Sequence, residues 1–428
     1  EPSIGLHPKD TNKLIDVLKN LRDLGNTVIV VEHDDAIIKA SDYIIDIGPE
    51  AGSFGGQVVG KGNYDSIVKQ NTLTAKYLNK EFKIEIPKKR RKSNKLVKMK
   101  GCRANNLKNI DVDFPLDSLV AVTGVSGSGK STLVKNILYP ALNNKLIGYG
   151  DKPGEFDGIF GNIDSINFVE FVDQNPIGRS SRSNPVTYIK AYDEIRSLFS
   201  NQRLSKIRGY QPKHFSFNVD GGRCPSCKGE GIVTIEMQFM ADVKLKCESC
   251  KGKRFKDSIL EIKFEGKNID DILNMTIDQA LMFFESNECK KIKNKLQPLQ
   301  DVGLGYVTLG QSSSTLSGGE AQRIKLAAFL GKGSQSTSGL FIFDEPTTGL
   351  HFHDIKKLLK SFDALIEIGH SIVVIEHNLE LIKSADYIID LGPEGGQKGG
   401  QIMTCGTPED LINNKTSTTG AHLKKVLN

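Results

Sequence analysis

Leu119-Val120-Ala121-Val122-Thr123 runs directly into Gly124-Val125-Ser126-Gly127-Ser128-Gly129-Lys130-Ser131-Thr132. The apolar and β-branched run predicts a buried strand, and the residues from Leu133 onward predict a helix. Between them, Gly124, Gly127 and Gly129 let backbone N–H groups turn inward on the α- and β-phosphates of a nucleotide. The helix start adds a positive dipole, Lys130 reaches the β- and γ-phosphates, and Ser131, followed by Thr132, offers an oxygen to Mg²⁺. A glycine loop without a strand before it and a helix after it would carry no such meaning. With both present, the unit predicts ATP binding within an α/β fold built on a parallel sheet.

Two later segments extend the reading. Leu340-Phe341-Ile342-Phe343-Asp344-Glu345 is an apolar strand ending in two carboxylates. Asp344 can hold Mg²⁺ through water, and Glu345 can polarise the water that attacks a γ-phosphate. Acidic residues end many strands, so this pair takes its meaning from the phosphate loop upstream. Leu316-Ser317-Gly318-Gly319-Glu320 opens a helical pattern over residues 321–330. Ser317, Gly318 and Gly319 at a helix N-terminus form an anion site. Standing alone, the pentad would be a plain helix cap with Ser317 at its head.

The sequence also repeats itself. At an offset of 344, residues 1–50 match residues 345–394 without a gap, with 23 of 50 positions identical. Glu1-Pro2 matches Glu345-Pro346, Gly5-Leu6-His7 matches Gly349-Leu350-His351, and Glu32-His33 matches Glu376-His377. One period of that length is a duplicated domain rather than a solenoid. In each copy a helical stretch (10–24, 354–368) precedes a β-branched run (27–31, 371–375), predicting a helix and then a strand. Between the copies, residues 87–94 carry Lys and Arg without apolar periodicity and read as a solvated basic linker. A nuclear import signal is the weaker reading of that run.

Composition sets the outer limits. The chain has 428 residues, 38% hydrophobic and 25% charged, enough for two or three globular domains with cores of their own. No apolar run is long enough to span a membrane. Lys+Arg 57 against Asp+Glu 51 gives +6, compatible with a polyanionic partner without requiring one. No targeting signal is visible at Glu1, and a cytoplasmic location is expected. Of seven cysteines, four form Cys224-x-x-Cys227 and Cys247-x-x-Cys250, separated by nineteen residues. That spacing is in the zinc-ribbon range, and each pair is followed by Lys-Gly, which permits a tight knuckle. Four thiolates close the coordination sphere, so Zn²⁺ there would hold shape and not catalyse. Between the pairs, residues 232–239 and 243–245 alternate as a hairpin turning at 240–242, with cations on its flanks.

The phosphate loop, Gln174 after the strand 168–172, Leu-Ser-Gly-Gly-Glu, the apolar-Asp-Glu segment and His377 after the strand 372–375 together resemble the motif set of ATP-binding cassette ATPases. The resemblance implies an α/β P-loop ATP-binding-cassette fold with an inserted helical and zinc-ribbon-like signature domain. It implies that Gln174, Glu345 and His377 serve hydrolysis, His377 as the switch histidine at the γ-phosphate. It also implies head-to-tail pairing, with Ser317-Gly318-Gly319 of one cassette closing over nucleotide held by another.

A cassette carrying such a cysteine module between Gln174 and Leu316, in tandem, resembles more narrowly the UvrA family of the bacterial nucleotide-excision repair excinuclease. The supporting strings are Val172-Asp173-Gln174-Asn175-Pro176-Ile177-Gly178-Arg179, the run from Phe215 to Cys224, and Gly349-Leu350-His351-Phe352-His353-Asp354. This implies an ATP-modulated homodimer that recognises damaged double-stranded DNA and loads the excinuclease protein UvrB. Glu1 aligns with Glu345, so the chain is expected to be a piece: residues 1–86 end a first cassette, 87–95 link, 96–174 and 316–428 form the second, and 175–315 are the insert. The docking domain for UvrB is then expected outside it, and hydrolysis is expected to be weak unless two copies pair.

A damage detector must tolerate any sequence, so phosphate contacts are expected rather than base readout, from the zinc module and from Arg179, Arg182, Lys213 and Arg223. Three other readings compete: a transporter ATPase, which has no use for a zinc ribbon; a UvrA-like paralogue for drug self-resistance; and a zinc-dependent DNA-binding module whose ATP site only locks conformation.

Overall fold

A computed structural model describes residues 1–49, 52, 55–178, 180, 182–237, 239–240, 242–331 and 337–427. The chain forms two compact units, Glu1–Asp173 with Ser334–Asn428, and Gln174–Gly333.

The first unit is organised by a six-stranded sheet: β1 (Leu119–Gly124), β2 (Phe168–Val172), β3 (Gly339–Asp344), β4 (Ser371–Ile375), β5 (Tyr387–Gly392) and β6 (Gln401–Gly406). Their order is β6-β5-β1-β4-β3-β2, parallel except for antiparallel β6 at the edge. All six residues of β1 and all five of β4 are buried, as fits central strands covered on both faces. Val120, Val122, Leu133, Ile137, Ile342, Val373 and Ile375 share one core, each worth roughly 1.5–3 kcal/mol of burial. Helix Phe352–Glu367 turns Ile355, Leu358, Leu359, Phe362, Leu365 and Ile366 inward at helical spacing. Because β1, β4 and β3 are neighbours, the segments after their carboxyl ends converge: the phosphate loop, His377 and Asp344-Glu345. Ligands of open parallel sheets bind at that end.

The first copy departs from expectation at one element. Residues 27–31, expected as a strand, are not one: Ile29 is 89% and Val31 69% exposed. The matching β4 is a strand because β1 and β3 hydrogen-bond to either side of it. No described strand lies beside 27–31, so the same apolar run has no ladder to join. Helix Pro8–Asp23 and the antiparallel pair Ile44–Gly48 with Gln57–Gly62 do repeat their counterparts, down to a register shift after Asp46 and after Asp390.

The basic linker also differs from a solvated tether. Arg90 Nη2 pairs with Glu409 Oε1 at 2.7 Å, and its Nη1 donates to Ala385 O at 3.0 Å. Arg91 donates through N and Nη1 to buried Asp386 (2.8 and 3.1 Å) and through Nη2 to Asp363 (2.6 Å). Asp386 Oδ2 also accepts the Leu119 N–H at the head of β1, 2.9 Å away. The linker is thus strapped to the sheet. Replacing Arg91 with Ala should lower unfolding stability by about 1–3 kcal/mol in chemical denaturation, because a buried carboxylate loses its counter-charge. An unchanged midpoint would refute the strap.

The second unit is helical around Phe199, Phe215, Phe217, Phe255 and Phe284, all fully buried, and includes a two-stranded hairpin, Ile232–Ile235 paired with Val243–Lys246. The first hairpin strand ends earlier than expected, and residues 238 and 241 of the expected strand and turn lie outside the described residues. Helix Gly318–Leu330 packs on Lys290–Asp301 in this unit.

Candidate functional site

The loop after β1 keeps the geometry its glycines predict. Gly124 has φ +129°, and a Cβ there would stand 2.0 Å from Leu391 O; Gly127 has φ +72°. Asn106 braces the loop from outside, donating to Gly127 O at 2.9 Å and Gly396 O at 3.0 Å. Lys130 is buried, its Nζ donating to Gly124 O (3.0 Å) and Val125 O (2.9 Å), and burial lowers its pKa to about 8. After Ser131, residues Thr132–Leu138 wind as a wide π-helix before Tyr139–Ile147 continues as α-helix, a form frequent at functional sites. Asn105 Nδ2 holds Thr132 Oγ1 at 3.2 Å.

Asp344 ends β3, and burial raises its pKa. Glu345 follows with φ +47°, a left-handed conformation strained for a non-glycine residue. Burial, then the charges of Glu376 and Asp344, raise the Glu345 pKa to about 7, suited to a base at neutral pH. His377 Nε2 stands 3.8 Å from Glu345 Oε1. Burial, with Lys130 and His7 nearby, lowers the His377 pKa to about 2, so the two meet as a neutral imidazole and a carboxyl group rather than as an ion pair. The donor set fits a magnesium-bound polyphosphate: a buried lysine held by loop carbonyls, a loop closed to side chains, and a buried Ser128 hydroxyl with no partner among the described residues.

Sequence reasoning did not assign Glu376. Its Oε1 accepts from Thr347 N (2.9 Å) and Thr347 Oγ1, and its Oε2 from His377 N (2.8 Å) and Asn378 N (3.0 Å). One carboxylate thereby fastens the loop after Glu345 to the loop bearing His377. Glu32 does the same in the first copy, accepting from Ser3 N at 2.7 Å and His33 N at 3.0 Å. The repeat identity Glu32/Glu376 was the available signal. A cavity of about 420 Å³ lies between the copies, lined by Glu1, His33, Glu345, Glu376, His377 and His422.

In the second unit, Ser317 caps helix Gly318–Leu330: its Oγ accepts from Glu320 N (3.2 Å), and Glu320 Oε2 accepts from Ser317 N (2.8 Å). The capping hydroxyl keeps a proton to donate, and Gly318 and Gly319 hold first-turn N–H groups. A Cβ on Gly318 would stand 3.0 Å from Gln174, so these two expected residues are neighbours.

The four expected zinc ligands are also gathered. Cys224 Sγ lies 4.0 Å from Cys247 Sγ, Cys227 Sγ 3.6 Å from Cys250 Sγ, and all four lie within 4.8 Å of one another. Zn–S bonds of about 2.3 Å in a tetrahedron need sulfurs about 3.8 Å apart, so the cage fits the ion. Both knuckles turn alike: Lys228-Gly229 (φ +49°, +85°) and Lys251-Gly252 (φ +51°, +87°). Backbone N–H groups lower the Cys247 thiol to about 7, while burial raises Cys227 and Cys250.

The expected DNA contacts divide. Lys213 is exposed. Arg182 pairs with Glu230 at 3.6 Å. Arg223 is held by Asp220 (2.9 Å) and the carbonyls of Asn218 and Lys228 (3.2 Å each), bracing the first knuckle. Arg179 lies outside the described residues.

With the cassette loop and the sulfur cage in place, comparison with known proteins identifies the relatives. The chain is 56% identical over 429 aligned residues to UvrABC system protein A of Clostridium perfringens and 55% to that of Staphylococcus aureus, each match covering 100% of the chain and 45% of the relative. Over its whole length the chain is similar to UvrA proteins. It spans about half the length of these relatives. The crystal structure of UvrA2 from Deinococcus radiodurans superimposes with a TM-score of 0.93 at 40% identity, over 100% of this chain and 51% of that one. No family model matches the chain. Among the described residues, no helix is long and apolar enough to cross a membrane.

Proposed function

We propose that the chain binds and hydrolyses ATP with Mg²⁺, holds structural Zn²⁺ in its cysteine cage, and uses both in recognising damaged duplex DNA for excision repair. The observation that carries this reading is the identity of 54–56% to UvrABC system protein A across the whole of this chain. Lys130, Ser131 and Thr132 would hold the phosphates and Mg²⁺ with Asp344, while Glu345 orients the attacking water and His377 faces the γ-phosphate. Bound magnesium would neutralise charge developing on the phosphates. Gln174 and Ser317-Gly318-Gly319 serve nucleotide closure between cassettes, as head-to-tail pairing requires. A cytoplasmic homodimer that hands the lesion to the excinuclease protein UvrB completes the reading.

Around the cage, Lys213, Lys244, Lys246, Lys251 and Lys253 are exposed, a set able to track a phosphate backbone without reading bases. The test is binding of duplexes with and without one bulky adduct, with ATP, across a salt series. The adducted duplex should bind more tightly, and Lys213→Ala should reduce the salt slope by about one unit for both duplexes. Equal affinity for the two duplexes overturns damage recognition, and an unchanged slope removes Lys213 from the interface. Preference for an intercalator-loaded duplex over the adduct would favour the drug-resistance reading.

A further inference from the structure

The two copies meet crosswise. A Cβ on Gly5 would stand 3.1 Å from Glu345 Oε2, and one on Gly349 would stand 3.3 Å from Glu1 Oε2. Both glycines have left-handed φ, +69° and +66°, so backbone and neighbour alike exclude a side chain. Two residues further on, the histidines cross as well. His7, fully buried, stands edge-on to His377 of the second copy at 6.1 Å between ring centroids, and edge-on to His422 at 5.7 Å. His351 stands edge-on to Tyr77 of the first copy at 5.4 Å. Tyr77 and His422 hold matching places on matching helices, Leu73–Leu78 and Thr418–Leu427. In these, Thr72 caps Ala75 as Ser417 caps Gly420, and Thr74 donates to Asp46 as Thr419 donates to Asp390.

The seat of His7 is fixed by hydrogen bonds. Thr419 Oγ1 gives its proton to Asp390 Oδ1 at 2.9 Å, so toward His7 Nε2, 3.2 Å away, it can only accept. His7 Nδ1 accepts from the Lys9 N–H at 3.2 Å. Both contacts hold only for a neutral ring with its proton on Nε2. Asp390 is itself held by Ser417 Oγ at 2.6 Å. Asp390, Thr419 and His7 therefore form a chain that sets one tautomer and one ring plane. His377 needs such a wall: its Nδ1 is buried with no hydrogen-bond partner among the described residues, so no bond on that side holds the ring.

We infer that His7, a residue of the first copy, is a positioning residue for ATP hydrolysis in the second, seated by Thr419 and Asp390 and acting through the ring of His377. The inference rests on the ATPase reading above. It gives the first copy a part in the chemistry of the second that neither phosphate loop nor signature supplies.

The test is steady-state hydrolysis by the intact protein, together with equilibrium binding of a fluorescent ATP analogue. Thr419→Val keeps the side-chain volume and removes the hydroxyl; Thr419→Ser keeps the hydroxyl. Thr419→Val and His7→Ala should each lower kcat about tenfold, with KM and analogue affinity unchanged. Thr419→Ser should restore kcat. The His7→Ala/His377→Ala double variant should be no slower than His377→Ala alone, because both changes act through one ring. Wild-type kcat in Thr419→Val, or losses that multiply in the double variant, overturns the inference while the ATPase reading stands. A wild-type protein that neither binds the analogue nor hydrolyses ATP overturns both.

Discussion

Stripping zinc from the second unit, or replacing Cys227 with Ser, is expected to unfold the segment from Arg223 to Lys256 and to abolish preference for damaged duplex. The reason lies in what the hairpin lacks. Cys224, Cys227, Cys247 and Cys250 form a buried cluster of their own. Beyond them Val233, Ile235, Val243 and Leu245 are each at least 41% exposed, so the strands bury little apolar surface. An isolated two-stranded hairpin is marginal in water, whereas structural zinc sites contribute on the order of 10 kcal/mol of apparent binding energy. The two knuckles are otherwise joined by hydrogen bonds from Cys224 N to Arg254 O (2.8 Å) and from Cys247 N to Gly231 O (3.0 Å), and by Ser226 Oγ and Ser249 Oγ, 2.8 Å apart; at about 1 kcal/mol net each, these cannot replace the metal. The protein should carry about one zinc ion per chain by elemental analysis. Chelation should open Lys244 and Lys246 to trypsin while analogue binding at Lys130 persists. A metal-free protein with a protease-resistant hairpin would refute the structural role.

The parts of this site legible in the sequence are those whose meaning is local. Gly124 to Thr132, Asp344-Glu345 and the paired cysteines each set their own geometry within a few residues, because loop, strand end and knuckle are short-range structures. The helices 8–23 and 352–367 were legible for the same reason. Residues 27–31 were not, since an apolar β-branched run becomes a strand only beside other strands, and its neighbours are set by the rest of a sheet. Cations misled in a related way: Arg90 and Arg91 read as solvated, yet Arg91 meets its partner Asp386 across 295 residues. Glu376, Asp390 and His7 were invisible as functional groups because they act through contacts of this kind, His7 and Thr419 being 412 positions apart. The internal repeat did hold a clue. Glu32/Glu376, Asp46/Asp390 and His7/His351 are identities within it, and each pair recurs in the same structural place in both copies.

Glu345→Gln should lower ATP turnover by roughly 10²–10⁴-fold while leaving analogue binding intact. Glutamine has nearly the volume of glutamate, so the left-handed turn and the close approach of Gly5 are undisturbed; what disappears is a group able to take a proton from water. The same assignment fixes the sign of the pH dependence. A carboxyl group whose pKa is raised to about 7 is mostly protonated, and useless as a base, below that pH, so wild-type turnover should climb as pH rises through about 7. His377 does not contribute a second limb in this range, because its pKa lies far below it. The Gln variant should lack the climb as well as the rate. Turnover within tenfold of wild type, or a pH limb that survives the substitution, would move the base elsewhere. The variant also separates motor from clamp. If damaged and intact duplexes are still told apart when hydrolysis is gone, bound ATP acts by holding the cassettes in one arrangement; if discrimination falls with turnover, repeated release and rebinding is what rejects intact DNA.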